Sequence, residues 1–202
     1  MSFSTFLHGQ AVGINLSEYL KPRKDTLVYN SIYDSFHAKA LQETVKLVYR
    51  KVSIGSETAY YISNVTDSDG SGAQSASFLG SAMIFRNDSV WLAPLTFNES
   101  PNQLTQKNFN YVLPPNLTFS KPFELAKLKW NGFVKEVFIK DYQFEDLSVG
   151  DTILKGCLKL NLLVYDRLKE PYHTTVWLSL DHGIVKWIRA TGREEVLDLS
   201  RL

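Results

Sequence analysis

The stretch from Gly156 to Ile188, GCLKLNLLVYDRLKEPYHTTVWLSLDHGIVKWI, decides the fold class of this chain. Apolar residues occupy every second position on both sides of its polar break, DRLKEP. Such alternation is typical of strands with one buried face, whereas an amphipathic helix needs apolar spacings of three and four. Asp181, His182 and Gly183 then supply a turn signal before the chain returns. The stretch therefore predicts antiparallel strands joined by short connections, a β-meander.

The same pattern recurs upstream and extends the prediction to the whole chain. Residues 43–51 alternate, and residues 82–85 and 90–93 flank a hairpin turn. We count eight to ten strands and see no alternation of strands with helices. Residues 98–122 hold four prolines and predict a long irregular connection that covers part of the domain. The predicted fold is all-β: one strongly curved antiparallel sheet, a half-barrel, with long irregular loops, in a single domain over 1–202.

Composition bounds the class of protein. With 202 residues, 44% of them hydrophobic and 13% aromatic, the chain can build a sizeable core. A net charge of +1 gives no concentrated basic face, so we expect no nucleic-acid partner. The one cysteine, Cys157, excludes an intramolecular disulfide and is expected to be a buried structural thiol.

The sequence leaves the compartment open. It contains no transmembrane run, and its first residues lack the charged and apolar regions of a signal peptide. We therefore expect either a cytoplasmic protein or, if a leader has been removed, a protein of the periplasm or cell envelope. Its oligomeric state is not predicted.

No catalytic, metal-binding or cofactor-binding residues are predicted. Nucleophile elbows, zinc-protease motifs and phosphate-binding glycine loops are all missing. The four histidines have no chelating spacing, and Asp67-x-Asp69-Gly70 lacks the later glutamate of a calcium loop. The pairs Glu145–Asp146 and Glu194–Glu195 are adjacent on predicted strands, so their members point to opposite faces. The interpretation leans away from an enzyme, and a hydrolase with an unrecognised site is the weaker alternative.

Aromatic side chains carry the prediction of function. Strict alternation places Trp177 opposite the row of Val176 and Leu178, so its strand carries apolar bulk on both faces. A sheet that is apolar on both faces must be covered by its own chain, by a ligand or by a partner. We expect an apolar ligand to contact five aromatic residues: Trp177, Trp187, Tyr165, Phe138 and Trp130.

The last fifty residues also carry a family resemblance. A strand with the order Gly, Cys-Leu-Lys is followed by a hairpin with the order Trp, Gly-x-Val-Lys, at Gly150, Cys157, Leu158, Lys159, Trp177, Gly183, Val185 and Lys186. This pattern resembles uncharacterised bacterial envelope proteins related in fold to the LolA/LppX lipoprotein carriers. Asp181 and Ser179 depart from it, since the relatives have glycine and alanine there. The resemblance implies a half-barrel whose concave face receives acyl chains, and it implies no catalytic residues.

These observations together predict a non-enzymatic binding protein that holds an apolar, lipid-like small molecule in the concave face of a curved sheet. The alternative is a protein-interaction or structural module that uses an exposed sheet face or edge.

Overall fold

Twelve β-strands make up most of the chain that the structure, a computed structural model, describes: residues 13–33, 41–66, 82–93, 104–109, 111–113, 123–130, 133–165, 171–188 and 194–202. The strands are β1 (Thr26–Tyr33), β2 (Leu41–Ile54), β3 (Glu57–Thr66), β4 (Ala82–Arg86), β5 (Ser89–Ala93), β6 (Tyr111–Leu113), β7 (Phe123–Trp130), β8 (Phe133–Val149), β9 (Thr152–Tyr165), β10 (Tyr172–Ser179), β11 (Gly183–Ile188) and β12 (Glu194–Leu197). One short helix, α1 (Leu16–Leu20), precedes them. The all-β prediction is confirmed.

All twelve strands belong to one antiparallel sheet in the order β6-β5-β4-β3-β2-β1-β12-β11-β10-β9-β8-β7. Strands that follow one another in sequence are paired, except β6 and β7, which form the two edges, and the first strand pairs with the last. The chain thus forms two six-stranded meanders that are joined at the centre, where Tyr29 lies opposite Leu197. The predicted meander from Gly156 to Ile188 forms the strands β9, β10 and β11.

The sheet curves around α1 and remains open. The helix contacts β5 in one half of the sheet and β10 and β11 in the other, so it lies inside the curve. Asn15 caps its N-terminus by accepting a hydrogen bond from the Ser17 backbone N–H at 3.1 Å. Pro22 follows its end. The edge strands β6 and β7 approach within 8 Å, Cα to Cα, without pairing.

The inner face, defined as the face that carries Leu158, Leu160 and Leu162, holds the main core. These three leucines are fully buried in a cluster that includes residues of α1 and of both meanders. Register places Val176 beside Leu160, and this continues the row onto β10. The apolar alternation seen in the sequence therefore points into the curve.

The outer face, on the opposite side of the sheet, has a second and smaller apolar cluster. Ile84 and Ala59 contribute to it from β4 and β3, and Leu104 and Phe109 cover it from a segment that contains a short 3-10 helix. Glu57 accepts a bidentate ion pair from Arg86, and the Gln106 side-chain amide donates to the same carboxylate at 3.3 Å. Both faces of this part of the sheet are therefore covered by the chain itself.

The structure corrects two details of the predicted organisation. The count of eight to ten strands is too low, because β6 is only three residues long and β7 has no clear alternation. The stretch 98–122, predicted to be an irregular covering connection, does cover the outer cluster with Leu104 and Phe109, but it also contributes the strand β6. The predicted calcium-like loop at 67–70 lies outside the described residues. No helix in the described part of the chain has the length and hydrophobicity of a transmembrane span.

Candidate ligand-binding site on the inner face

A row of polar and aromatic side chains crosses the inner face at the centre of the sheet. Register aligns Ser31 of β1 with Glu195 of β12, Glu195 with Trp187 of β11, and Trp187 with Val176 of β10. Paired residues in an antiparallel sheet project from the same face, and Val176 lies on the inner one. The side chains of this row therefore point into the curve, where the two meanders join. We call Ser31, Glu195 and Trp187 the central row.

Trp187 is held in place by a hydrogen-bond relay. Its indole Nε1–H donates to the Thr174 hydroxyl at 2.7 Å, and that hydroxyl donates to the Ile188 carbonyl at 2.6 Å. Thr174 is buried, whereas Trp187 is half-buried and packs against the main core. The relay gives the indole Nε1–H a hydrogen-bond partner, and the ring of Trp187 contributes apolar surface to the inner face.

Tyr29 borders the central row, and Tyr49 lies near Tyr29. Tyr29 is 3% exposed and donates its hydroxyl proton to the Ile184 carbonyl at 2.8 Å. Burial raises the pKa of Tyr29 well above its usual value, and nearby Tyr49 and Glu195 raise it further. Burial likewise raises the pKa of Tyr49. Both side chains therefore stay neutral at neutral pH, and Tyr29 acts as a fixed hydrogen-bond donor.

Glu195 gives the inner face a charged group. It is 4% exposed and, among the residues that the structure describes, it is the one Asp, Glu, Lys, Arg or His side chain in the buried class. Its neighbour Glu194 projects outward and pairs with Lys186 at 2.8 Å. The sequence rule that adjacent carboxylates point to opposite faces is confirmed here. That same rule places one carboxylate inside the sheet, a consequence that the sequence reasoning did not draw.

Trp177, predicted to contact the ligand, lies on the outer face. It pairs with Lys159 and Lys186, whose ammonium groups lie 5.1 and 5.2 Å from its ring centroid. Its indole Nε1–H donates to Glu145 Oε1 at 2.5 Å. The lysine side chains cover the ring, which is 6% exposed. This tryptophan is thus sealed by its own chain, away from the inner face.

The other predicted contact residues are also separated from Trp187. Phe138 and Tyr165 form an edge-to-face pair on the outer face, with ring centroids 5.6 Å apart. Trp130 ends β7, and its side chain lies outside the described residues. The expectation of one shared concave site is corrected to this extent: of the four described residues, Trp187 faces inward and the other three face outward. Ligand binding by any of them stays a prediction.

The outer-face contact of Trp177 predicts an acid-sensitive stability. The indole N–H lowers the pKa of Glu145 from its usual 4.5, and Gln143 and Lys159 lower it further. A carboxylate with a lowered folded-state pKa stabilises the protein above its unfolded pKa, and that stabilisation is lost as pH falls through the folded pKa. We expect Glu145→Gln to cost about 1 kcal/mol at pH 7 and progressively less as the pH falls below the usual carboxyl pKa of 4.5.

Urea denaturation across this pH range measures the effect. Trp177→Phe removes the hydrogen-bond donor instead of the acceptor. Its cost in stability should therefore shrink on acidification in the same way as the cost of Glu145→Gln. If wild type and Glu145→Gln lose stability in parallel on acidification, the Trp177–Glu145 contact does not contribute as described.

No metal-binding cluster is seen in the described part of the chain. There, no three His, Cys, Asp or Glu side chains come together in a way that could hold a metal ion. Cys157 is buried, and burial raises the pKa of its thiol, which disfavours the nucleophilic thiolate. Comparison of the chain with models of known families, with curated proteins and with solved structures gives no match in any of the three.

Proposed function

We propose that this protein is a non-enzymatic binding protein that holds an apolar, lipid-like small molecule inside its curved sheet. The observation that carries the proposal is the number of strands in the curved sheet, which sets the width of its interior. About eight strands already give a curled sheet an interior just wide enough for side chains to fill. Twelve strands curve here around one five-residue helix, with their edges within 8 Å. This geometry favours an interior with room for a guest.

The chemistry of the inner face supports the same proposal. Its described side chains on β9 and β10 are mostly aliphatic, and half-buried aromatic rings, Tyr142, Tyr172 and Trp187, pack against them. Apolar walls with a few placed polar groups are typical of small-molecule sites. Each buried methylene of a guest would contribute about 0.8 kcal/mol, so an alkyl chain of moderate length suffices for micromolar binding.

The alternative, strand addition at an open sheet edge, is favoured by the unpaired edges of β6 and β7. Distance argues against it. A strand inserted between them would need a spacing of about 4.8 Å on each side, or roughly 9.6 Å in all. At their nearest residues the two edges are within 8 Å. The seam is too narrow there for a third strand.

Quenching by a brominated alkyl ligand tests the proposal, because bromine quenches tryptophan fluorescence at short range. With 1-bromodecane we expect saturable quenching in wild-type protein. Trp187→Phe should lose most of the quenching amplitude, whereas the matched outer-face change Trp177→Phe should keep it. Native mass spectrometry of the purified protein should also release an alkyl-chain molecule. Absence of saturable quenching, or equal quenching in the two variants, contradicts binding on the inner face.

A further inference from the structure

We infer that two copies of this chain associate through the β8 extension, which pairs with itself across a two-fold axis at Phe144. The β8 extension is defined as residues 141–149, the part of β8 that runs beyond the end of β7. This self-association is separate from ligand binding and does not depend on the proposed function.

The unequal lengths of β7 and β8 create this edge. Strand β7 pairs with β8 only as far as Ile139, which lies opposite Phe123. On its other side, β8 continues to pair with β9 as far as Val149. No described strand pairs with the β7 side of the β8 extension. A strand edge of this kind is a template for pairing with another strand.

The side chains of the β8 extension are exposed. Phe144 projects from the same face as Leu158, its partner on β9, yet it is 50% exposed. Asp141 and Gln143, which project from the other face, are exposed as well. Burial of an exposed ring on association is favourable, because apolar area is removed from water. The edge therefore offers both a pairing template and an apolar side chain that a partner strand would cover.

An axis at Phe144 gives a self-complementary contact. Around a two-fold axis perpendicular to the sheet, an edge strand pairs antiparallel with its own copy, and the same patch serves both partners. Phe144 then lies opposite itself, and Gln143 lies opposite Glu145 of the second copy. Within one chain the Gln143 amide already donates to Glu145 at 2.5 Å, so the two groups are chemically matched. Residues 141–147 pair before either copy meets β7 of the other.

Charge excludes the neighbouring positions of the axis. An axis at Gln143 would place Asp141 opposite Glu145 of the second copy. An axis at Glu145 would place that carboxylate opposite itself. Like charges directly opposite each other destabilise a strand pair. With the axis at Phe144, Asp141 instead faces the uncharged Leu147.

The acidic side chains of the β8 extension are largely compensated within the chain. The Lys155 ammonium lies 2.7 Å from the Asp146 carboxylate, and the Lys159 ammonium lies 3.5 Å from Glu145. These ion pairs reduce the repulsion between two copies of the edge, and they also reduce its attraction for a basic peptide. Charge therefore favours a second copy as the occupant.

The opposite edge of the same hairpin is less suited to pairing. Strand β10 pairs with β9 only as far as Leu158, so no described strand pairs with the β10 side of residues 152–157. The register shift after Glu145 places an extra residue in β9, where Gly156 has a φ of +59°. Such a β-bulge interrupts regular pairing and twists an edge away from partners.

Sedimentation velocity over a concentration series tests the inference. One strand pair is expected to bury less than the roughly 1,200 Å² of a standard interface, so we expect reversible dimerisation with a Kd of about 10–100 µM. Phe144→Lys should weaken dimerisation by about tenfold, because it removes the ring pair and brings two ammonium groups together at the axis. Ile153→Lys is the matched control, since Ile153 is 58% exposed and lies on the other edge of the hairpin. It should leave the Kd unchanged.

A cysteine at the axis tests the register. Directly opposite residues in an antiparallel pair have Cβ atoms about 4.5–5.5 Å apart, close to the spacing of a disulfide. Mild oxidation of Phe144→Cys should therefore give a covalent dimer on a non-reducing gel. Ile153→Cys should stay monomeric on the gel under the same conditions. The native Cys157 is buried and should not cross-link.

Each outcome has a distinct meaning. Wild-type protein that stays monomeric throughout the series overturns the second copy as occupant, even if an extended peptide of another protein binds this edge. Equal weakening by Phe144→Lys and Ile153→Lys, or by neither, overturns the placement on the β8 extension. Dimerisation that is weakened only by Phe144→Lys, together with the Phe144→Cys cross-link, supports the inference. The wild-type series needs no variant and so decides the matter even if a variant folds poorly.

Discussion

Removal of residues 194–202 is expected to abolish the cooperative folded state. These residues form β12, which pairs with β1 on one side and β11 on the other and so joins the two meanders. Without it, Leu197 no longer fills the core, and β1 and β11 become new unpaired edges. Exposed strand edges beside apolar surface favour aggregation. A protein with about 5–15 kcal/mol of total stability cannot lose a central strand and remain folded.

Thermal unfolding followed by circular dichroism measures this effect. Deletion of residues 199–202 alone is the control, because it removes a terminal 3-10 turn, Leu199–Arg201, and leaves β12 in place. We expect the control to unfold cooperatively near the wild-type temperature. Cooperative unfolding of the chain that ends at residue 193 would show that each meander folds without the central pairing.

Leu160→Ala is expected to cost 2–5 kcal/mol, the range for a leucine in a packed core. Leu160 is fully buried on the inner face of β9, aligned with Tyr142 on one side and Val176 on the other. Its removal leaves a cavity between neighbouring strands that the sheet cannot close without shifting register.

Leu180→Ala makes the same chemical change at a turn where the side chain is 47% exposed. It should change the free energy of unfolding by less than about 0.5 kcal/mol. Urea titration of both variants gives the comparison. Similar costs at the two positions would mean that the inner face is loosely packed around Leu160.

Local alternation in the sequence predicted much of the C-terminal meander. The residues that alternate between Leu158 and Val176 project to the faces expected of them, and Trp177 lies opposite its apolar neighbours as predicted. Strand β7 was missed because FELAKLKW mixes charged and apolar residues without strict alternation. The pairing of β1 with β12 was also missed, since no local pattern reports a contact between opposite ends of a chain.

The site was harder to predict than the fold. Alternation assigns a residue to one of two faces, but it does not say which face encloses the core or what covers the other. The sequence therefore does not distinguish Trp177 from Trp187 as a ligand contact. The strand register does, because it places Lys159 and Lys186 beside Trp177. Glu195 could have been found from sequence, because it shares the two-residue spacing of the inward Leu197.

The pairing of the first strand with the last also constrains how the protein is made. During synthesis β1 emerges early, yet one of its two edges has no partner until β12 has left the ribosome. One edge of β1 in the N-terminal meander therefore stays unpaired while the rest of the chain is translated. Contacts of such long sequence separation are slow to form because chain closure is costly in entropy. We expect the junction of the two meanders to be the last part of the sheet to assemble, and the point at which a chaperone would be most useful.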